Sequence, residues 1–159
     1  MTRKEQYNQL ILQIAGLIKD ETNLVGILAN VSAALHDTFP ERFFWVGFYL
    51  QENGNMLRLG PFQGSVACYT IPFGKGVCGK AWEEGRTLIV PDVEKFPGHI
   101  ACSSLSRSEI VVPMYDDSHT FRGVLDIDST QLNDFNEDDK EGLERIIELL
   151  MAETHDLFQ

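Results

Sequence analysis

The sequence predicts an α+β fold, in which terminal helices cover one face of a mostly antiparallel sheet and loops build a ligand pocket on the other face. Apolar residues recur at helical spacing near both ends of the 159-residue chain, whereas the middle holds short runs rich in β-branched and aromatic residues. Residues 91–106 show no period at all. A long irregular segment inside a compact domain is usually functional or disordered, so these loops are candidates for the border of a site.

The two ends of the chain supply the helices. Residues 1–38 predict two amphipathic helices, with apolar stripes over 10–18 and 24–35. Residues 136–158 predict a closing helix, because Asn136 is a favourable N-cap and the acids that follow it suit the positive end of the helix dipole. We interpret that acidic run as the solvated start of the helix.

Residues 43–129 predict the sheet together with its pocket loops. The Asn53-Gly54-Asn55 segment is typical of a tight hairpin between the first two strands. A short helix, Gly76 to Glu84, is predicted between the third and fourth strands. The predicted strands span residues 43–51, 56–59, 66–71, 87–90, 109–115 and 121–129.

Strand alternation assigns side chains to the two faces of this sheet. On the last strand Asp126 and Asp128 share one face, and Leu125 and Ile127 share the other. We expect the apolar pair to face the helices and the carboxylates to face the pocket, with Glu109 as the third acid. On the first strand one face receives Phe43, Trp45 and Tyr49, and the opposite face receives Phe44, Val46, Phe48 and Leu50.

A pocket with aromatic walls and three acids suits a small zwitterion. Carboxylates pair with an ammonium, aromatic faces add cation–π attraction, and backbone N–H groups of a Gly-rich loop bind a carboxylate. The ligand predicted in this way is a free small molecule. Two alternatives stay open, because an Asp-x-Asp at a strand end is often a solvated loop entry, and Trp45 and Tyr49 taken alone suit ordinary core packing.

The cysteines point to thiol chemistry. Cys68, Cys78 and Cys102 lie within one 35-residue window, each in a Gly- or Ser-rich stretch, and the rest of the chain has none. Their odd number cannot close into a full set of internal bridges, and the N-terminus does not resemble a secretion signal. We therefore expect a cytoplasmic protein whose cysteines react, and not a disulfide scaffold.

Composition excludes several classes of protein. A formal net charge of −11 argues against a nucleic-acid partner, because binding a phosphate backbone needs a basic face. The apolar runs are far shorter than the roughly 20 residues of a membrane span. The length predicts a single domain, residues 1–159, with enough apolar residues for a core.

The order and spacing of five motifs resemble a known family. The motifs are Gly60 to Gly64 with Ala67-Cys68, Gly74 to Gly79, Val90 to Val93 with Phe96 to Cys102, Ser106 to Pro113, and Gly123 to Ser129. Together they closely resemble the free methionine-(R)-sulfoxide reductases, which are single-domain GAF proteins. The resemblance implies that free L-methionine-(R)-sulfoxide is reduced to methionine, that thioredoxin regenerates the enzyme, and that no metal or organic cofactor is required.

The resemblance also implies roles for the cysteines. Cys102 corresponds to the nucleophile, Cys68 to the main resolving cysteine and Cys78 to an auxiliary one. Glu109, Asp126 and Asp128 correspond to acids that bind substrate and handle protons, and Trp45 and Tyr49 to the aromatic wall. From the residues alone either Cys68 or Cys78 could resolve, because sequence does not fix the distance between two sulfurs.

Other interpretations remain beside this one. A GAF-type module could bind a small ligand or register oxidation without turnover, although the chain shows no output domain after the last predicted helix. His99 could tune the thiolate of Cys102, or only bond solvent. A zinc site made by Cys78, His99 and Cys102 is disfavoured because it lacks a C-x-x-C knuckle. The amphipathic first helix suggests a homodimer.

Overall fold

The computed structural model describes residues 1–158, and within them four α-helices and six strands. The helices are α1 (Arg3–Ile18), α2 (Leu24–Thr38), α3 (Gly76–Glu84) and α4 (Glu137–Thr154). The strands are β1 (Trp45–Glu52), β2 (Met56–Gln63), β3 (Thr70–Pro72), β4 (Leu88–Val90), β5 (Ser108–Tyr115) and β6 (Phe121–Ser129). They form one sheet in the order β3-β2-β1-β6-β5-β4, and every neighbouring pair is antiparallel.

Side-chain caps explain where three of the helices begin. Thr2 accepts a hydrogen bond from the backbone N–H of Glu5, and Asn23 accepts one from Gly26. Asn136 caps α4 as predicted and forms a capping box with Asp139. Each cap satisfies backbone donors that a helix start leaves without partners.

The helices form a layer on one face of the sheet, as predicted. Helices α2 and α4 pack on strands β1, β2 and β5, and α1 lies against α2 and α4. The apolar stripe of α1, which includes Leu10 and Ile14, is therefore buried within the chain. Helix α3 lies on the opposite face, against β3 to β6. No helix in residues 1–158 has the length and apolar character to cross a membrane.

The first strand is shorter than predicted, and this corrects two side-chain assignments. Strand β1 begins at Trp45, so alternation does not hold at 43 and 44. Phe43 packs in the helix-side core, 4.8 Å from the Phe39 ring, instead of facing the pocket. Phe44 borders the pocket instead of the helices. From Trp45 onward the predicted alternation holds, with Val46 and Phe48 on the helix side.

Two further expectations about the chain differ from the structure. Residues 66–69 lie outside β3, although the backbone carbonyl of Tyr69 accepts a hydrogen bond from Leu59 N–H. Asp139, expected at a solvated helix start, is fully buried. It accepts hydrogen bonds from Arg3, Tyr7 and Arg42, which tie the start of α4 to α1 and to the segment between α2 and β1. A buried carboxylate needs such partners because it has lost its water.

Candidate active site

A narrow pocket lies on the sheet face opposite α1, α2 and α4. Its cavity of about 50 Å³ is bordered by strands β1, β5 and β6, by α3, and by the two loops that carry Cys68 and Cys102. Since one buried water needs roughly 10–15 Å³ of such space, the cavity has room for a small molecule. The lining includes Phe44, Trp45, Tyr49, Val66, Gly76, Val77, Cys78, His99, Ile100, Cys102, Ser106, Glu109, Asp126 and Asp128.

Three acids meet on the floor of this pocket, as strand alternation predicts. Glu109 on β5 pairs in register with Asp128 on β6, and Asp126 lies two residues further along the same face of β6. Glu109 and Asp126 are each only 6% exposed. The hydroxyl of Ser106 donates a hydrogen bond to Asp128 Oδ1 at 3.0 Å. Sequence reasoning missed this contact because Ser106 lies in a loop without periodicity.

Burial and mutual repulsion make two of these acids hard to ionise. Burial, followed by the charges of Asp126 and Asp128, raises the pKa of Glu109 well above its usual range. Burial and the charge of Asp126 do the same to the pKa of Asp128. For Asp126 burial also raises the pKa, but hydrogen bonds from Glu109 and Cys78 oppose that rise. Asp126 is therefore the acid of the cluster that ionises most readily.

One carboxylate oxygen of this cluster is open to a ligand. Asp126 Oδ1 is buried and has no hydrogen-bond partner among residues 1–158. A buried carboxylate oxygen without a partner costs free energy, so it favours a ligand that brings a donor or a positive charge.

The cysteines divide into a bonded pair and a buried thiol. Cys68 and Cys102 form a disulfide at the pocket mouth, with their Cα atoms 5.6 Å apart. Both residues are half-buried, and Cys102 borders the cavity whereas Cys68 does not. The structure thus pairs Cys102 with Cys68, the partner that the resemblance implied.

Cys78 keeps its thiol, at the start of α3. Its side chain is 3% exposed and hydrogen-bonds to Asp126. Burial, followed by the charges of Asp126 and Glu109, raises the pKa of the Cys78 thiol well above its usual range. The thiol therefore stays protonated.

The aromatic wall is tied to the loop that carries Cys68. The Trp45 and Tyr49 rings stack with centroids 5.8 Å apart, and Trp45 also stacks on Phe62 at 5.0 Å. Trp45 Nε1 donates a hydrogen bond to the backbone carbonyl of Ser65 at 3.0 Å. Sequence reasoning placed Trp45 and Tyr49 correctly but missed Phe62, which lies on the neighbouring strand beyond the predicted end of β2.

The close packing of the aromatic wall explains why residue 64 is a glycine. Gly64 has a φ of +143°, and a Cβ there would lie 2.6 Å from the Trp45 ring. Both the backbone conformation and the ring therefore require glycine at the start of the Cys68 loop.

The N-terminus of α3 offers backbone donors to the pocket. Gly76, Val77 and Cys78 border the cavity, and the N-cap residue Lys75 makes no side-chain capping bond. The first N–H groups of a helix attract anions, so this end suits a carboxylate. His99 also borders the pocket, and burial lowers the pKa of its ring, so the neutral imidazole predominates at neutral pH.

Three buried side chains of the pocket are close enough together to be possible metal ligands. Cys78, Glu109 and Asp126 each offer a ligand atom, and these atoms lie within 4.8 Å of one another. The set of Cys78, His99 and Cys102 weighed from the sequence cannot act together in this form, because Cys102 is bonded to Cys68.

The fold and the pocket define a class of protein. Residues 21–152 match the family model described as the GAF domain, so the chain belongs to that family. Within it, the chain belongs to the free methionine-R-sulfoxide reductases, as the following similarities show.

The chain is 43% identical to the free methionine-R-sulfoxide reductase of Saccharomyces cerevisiae, over 94% of this chain and 86% of the relative. It is 56% identical to GAF domain-containing protein A of Dictyostelium discoideum, over 94% and 92% of the two chains. The structure matches that of free methionine-R-sulfoxide reductase from Neisseria meningitidis in complex with its substrate, with a TM-score of 0.93. The identity is 46%, and the match covers 98% of this chain and 92% of that one.

Proposed function

We propose that this protein reduces free L-methionine-(R)-sulfoxide to L-methionine. The observation that carries the proposal is the Cys68–Cys102 disulfide at the mouth of a pocket whose floor holds three buried carboxyls. Relatives of matching length carry the name of this activity, which makes the protein a thiol-dependent oxidoreductase.

Each part of the substrate has a candidate partner in the pocket. The ammonium pairs with Asp126, whose Oδ1 has no partner among the described residues, and the Asp128 carboxyl lies beside it. The α-carboxylate binds the N–H groups at the start of α3. The thioether chain packs against the Trp45 and Tyr49 rings, which cover its apolar carbons.

Protonated Glu109 acts as the general acid in the chemical step. The Cys102 thiolate attacks the sulfoxide sulfur while a proton passes to the sulfoxide oxygen, because the S–O bond breaks readily only when that oxygen is protonated. The protonated oxygen then moves from the methionine sulfur to the Cys102 sulfur as the transient S–S bond and the S–O bond of the sulfoxide break. Cys102 is left as a sulfenic acid, oxidised by two electrons, and methionine leaves as the reduced thioether. Burial and the neighbouring acids keep Glu109 protonated near neutral pH, so the acid is ready when the substrate binds.

Cys68 resolves the sulfenic acid. Its thiol attacks the Cys102 sulfur, the Cys68–Cys102 bond forms, and water leaves. A dithiol reductant then returns both cysteines to thiols, and we propose thioredoxin in this role, in the cytoplasm. Cys78 remains the candidate auxiliary thiol. This scheme draws all its chemistry from thiols and carboxyls, so we propose that it needs no metal or organic cofactor.

We also propose a homodimer, on different grounds from those the sequence gave. The apolar stripe of α1 is buried within the chain, but Leu12, Leu17 and Val25 on α1 and α2 are 75%, 41% and 68% exposed. Size-exclusion chromatography coupled to light scattering tests the homodimer. A measured mass of about 18.0 kDa, which is that of one chain, would contradict it.

A coupled assay with both epimers tests the activity. The reduced protein is mixed with free methionine-(R)-sulfoxide or its S epimer, with thioredoxin, thioredoxin reductase and NADPH, and both NADPH loss and methionine are followed. Turnover confined to the free R epimer is the expected result. Binding of the sulfoxide without turnover would instead indicate a GAF-type sensor.

A further inference from the structure

Three apolar residues that lie close to the bridged cysteines along the chain have exposed side chains. Val66 and Tyr69 flank Cys68, and Leu105 follows Cys102 by three positions. They are 88%, 77% and 59% exposed, respectively. We call these three residues the disulfide rim. Exposed apolar residues scattered singly are ordinary, but a cluster around a reactive group indicates an interaction surface.

We propose that the disulfide rim is the docking surface for the protein dithiol that reduces the Cys68–Cys102 bond. This proposal rests on the proposed function, because that function requires the disulfide to be reduced in each catalytic cycle. It can be tested apart from that function, because the disulfide can be formed and reduced without the sulfoxide. An apolar rim around a half-buried disulfide fits a reductant that presents its own thiols from a flat apolar surface.

The backbone beneath the rim is held in place, so the exposure of these side chains does not come from a loose loop. The Tyr69 carbonyl accepts a hydrogen bond from Leu59 N–H at 2.9 Å, and the Cys68 carbonyl accepts one from the Tyr49 hydroxyl at 3.1 Å. On the other loop, Leu105 N–H donates to Ser103 Oγ at 3.2 Å. A surface ordered in advance loses little conformational entropy when a partner binds.

The position of Cys68 outside the cavity favours its sulfur as the one that the reductant attacks. Cys102 borders the cavity, whereas Cys68 does not and lies between the rim residues Val66 and Tyr69. A thiolate of the reductant attacks Cys68 Sγ, forms a mixed disulfide there, and releases Cys102 as a thiolate into the pocket. The second thiol of the reductant then attacks the first sulfur of the reductant in the mixed disulfide, and this breaks the bond to Cys68. Two electrons pass to the chain, Cys68 and Cys102 become thiols, and the reductant becomes a disulfide.

The test compares a protein reductant with a small one on the preformed disulfide. The full chain is oxidised, freed of oxidant, and reduced with either thioredoxin or dithiothreitol. The test variant is Tyr69→Ser with Leu105→Ser, because neither residue borders the pocket. The matched control is Met56→Ser with Leu132→Ser, which removes two partly exposed apolar side chains that lie outside the pocket and outside α1 and α2.

We expect the kcat/KM of thioredoxin to fall about tenfold in the rim variant and to stay unchanged in the control. The rate with dithiothreitol should agree within about twofold in all three proteins, since it needs no docking surface. A thioredoxin that lacks its second cysteine should trap a mixed disulfide on Cys68, seen by mass spectrometry. Equal thioredoxin rates in the rim variant and the wild type, or trapping on Cys102, would overturn the proposal. The sulfoxide takes no part, so failure of the proposed function would appear separately.

Discussion

The hydroxyl of Tyr49 donates a hydrogen bond to the backbone carbonyl of Cys68 over 3.1 Å. Burial, with the charge of Asp126, raises the pKa of this phenol, so it remains a donor at any physiological pH. The same ring stacks on Trp45 to form the pocket wall. The aromatic wall of the pocket therefore also holds Cys68, the cysteine that we propose as the resolving one.

Tyr49→Phe should separate these two roles. The ring stays, so we expect the KM for the sulfoxide to change little. The lost hydrogen bond, worth about 1 kcal/mol, should slow formation of the Cys68–Cys102 bond by threefold to tenfold, as an order-of-magnitude estimate. Rapid quenching, with methionine and the disulfide measured separately, provides both rates. Tyr69→Phe, on an exposed ring, is the control, and an unchanged rate of bond formation in Tyr49→Phe would contradict this role.

Serine replacements at the two bridged cysteines should stop the cycle at different points. Cys102→Ser should form no methionine even in a single turnover, because the nucleophile is gone. Cys68→Ser should form about one methionine per chain and then stop, because its sulfenic acid has no resolving partner. Methionine counted per chain, with dimedone labelling of the sulfenic acid, measures both outcomes. Multiple-turnover rates in Cys68→Ser equal to those of the wild type would remove Cys68 from the resolving role.

The activity should fall at alkaline pH as Glu109 loses its proton. Because burial raises the pKa of Glu109, the protonated acid persists above the usual carboxyl range and is lost as pH passes the raised value. Glu109→Gln should lower kcat/KM by about 100-fold or more and abolish this alkaline limb, since an amide does not donate a proton. The profile of kcat/KM against pH is the measurement. If the alkaline limb survived in Glu109→Gln, the loss of activity at high pH would come from a group other than Glu109.

The same acids should make the folded protein less stable as pH rises. A carboxyl whose folded pKa is raised holds its proton longer in the folded state than in the unfolded state. Below the pKa of the unfolded state this carboxyl does not lower the free energy of unfolding. As pH rises from that pKa to the raised pKa of the folded state, the free energy of unfolding falls, by about 1.4 kcal/mol for each pH unit between the two pKa values. Thermal unfolding of the oxidised protein at several pH values should show this decline for the wild type and a smaller one for Glu109→Gln. Glu148→Gln, at an exposed position of α4, should decline as the wild type does.

Most of the sheet and the acid cluster could be predicted because both follow from local periodicity. Alternation on β6 sends Asp126 and Asp128 to one face whatever the rest of the chain does. The same argument failed at Phe43 and Phe44, because it assumed that the strand had already begun there. Strand alternation assigns side chains to faces only within a strand, because only there does the extended backbone repeat.

The contacts that sequence reasoning missed join residues far apart in the chain. Asp139 looks like a solvated acid at a helix start, and only the positions of Arg3 and Arg42 explain its burial. Ser106 bonds Asp128 from a loop without periodicity. No local pattern encodes such pairs, so only the folded structure reveals them.

The role of Cys78 can be separated into hydrogen bonding and redox relay. Its thiol is buried and hydrogen-bonded to Asp126, and burial raises its pKa, whereas a relay needs a thiolate that can reach a disulfide. We expect Cys78→Ser to keep multiple turnover within about twofold of the wild type, because serine preserves the donor. Cys78→Ala should raise the KM for the sulfoxide about threefold and leave kcat near that of the wild type, because Asp126 then ionises less readily. If Cys78→Ser instead stopped after one methionine, as expected for Cys68→Ser, Cys78 would be a relay thiol.

A spectroscopic measurement tests the hydrogen bond of Cys78 without turnover. In the oxidised chain Cys68 and Cys102 are bridged, so the S–H stretching band comes from Cys78. Asp126→Asn should move that band to higher frequency, because an amide oxygen is a weaker acceptor than a carboxylate. Asp128→Asn should leave the band in place, since Asp128 is not a partner of the thiol. A band that stays unmoved in Asp126→Asn would show that the thiol does not bond this carboxylate, and the effect expected for Cys78→Ala would lose its physical basis.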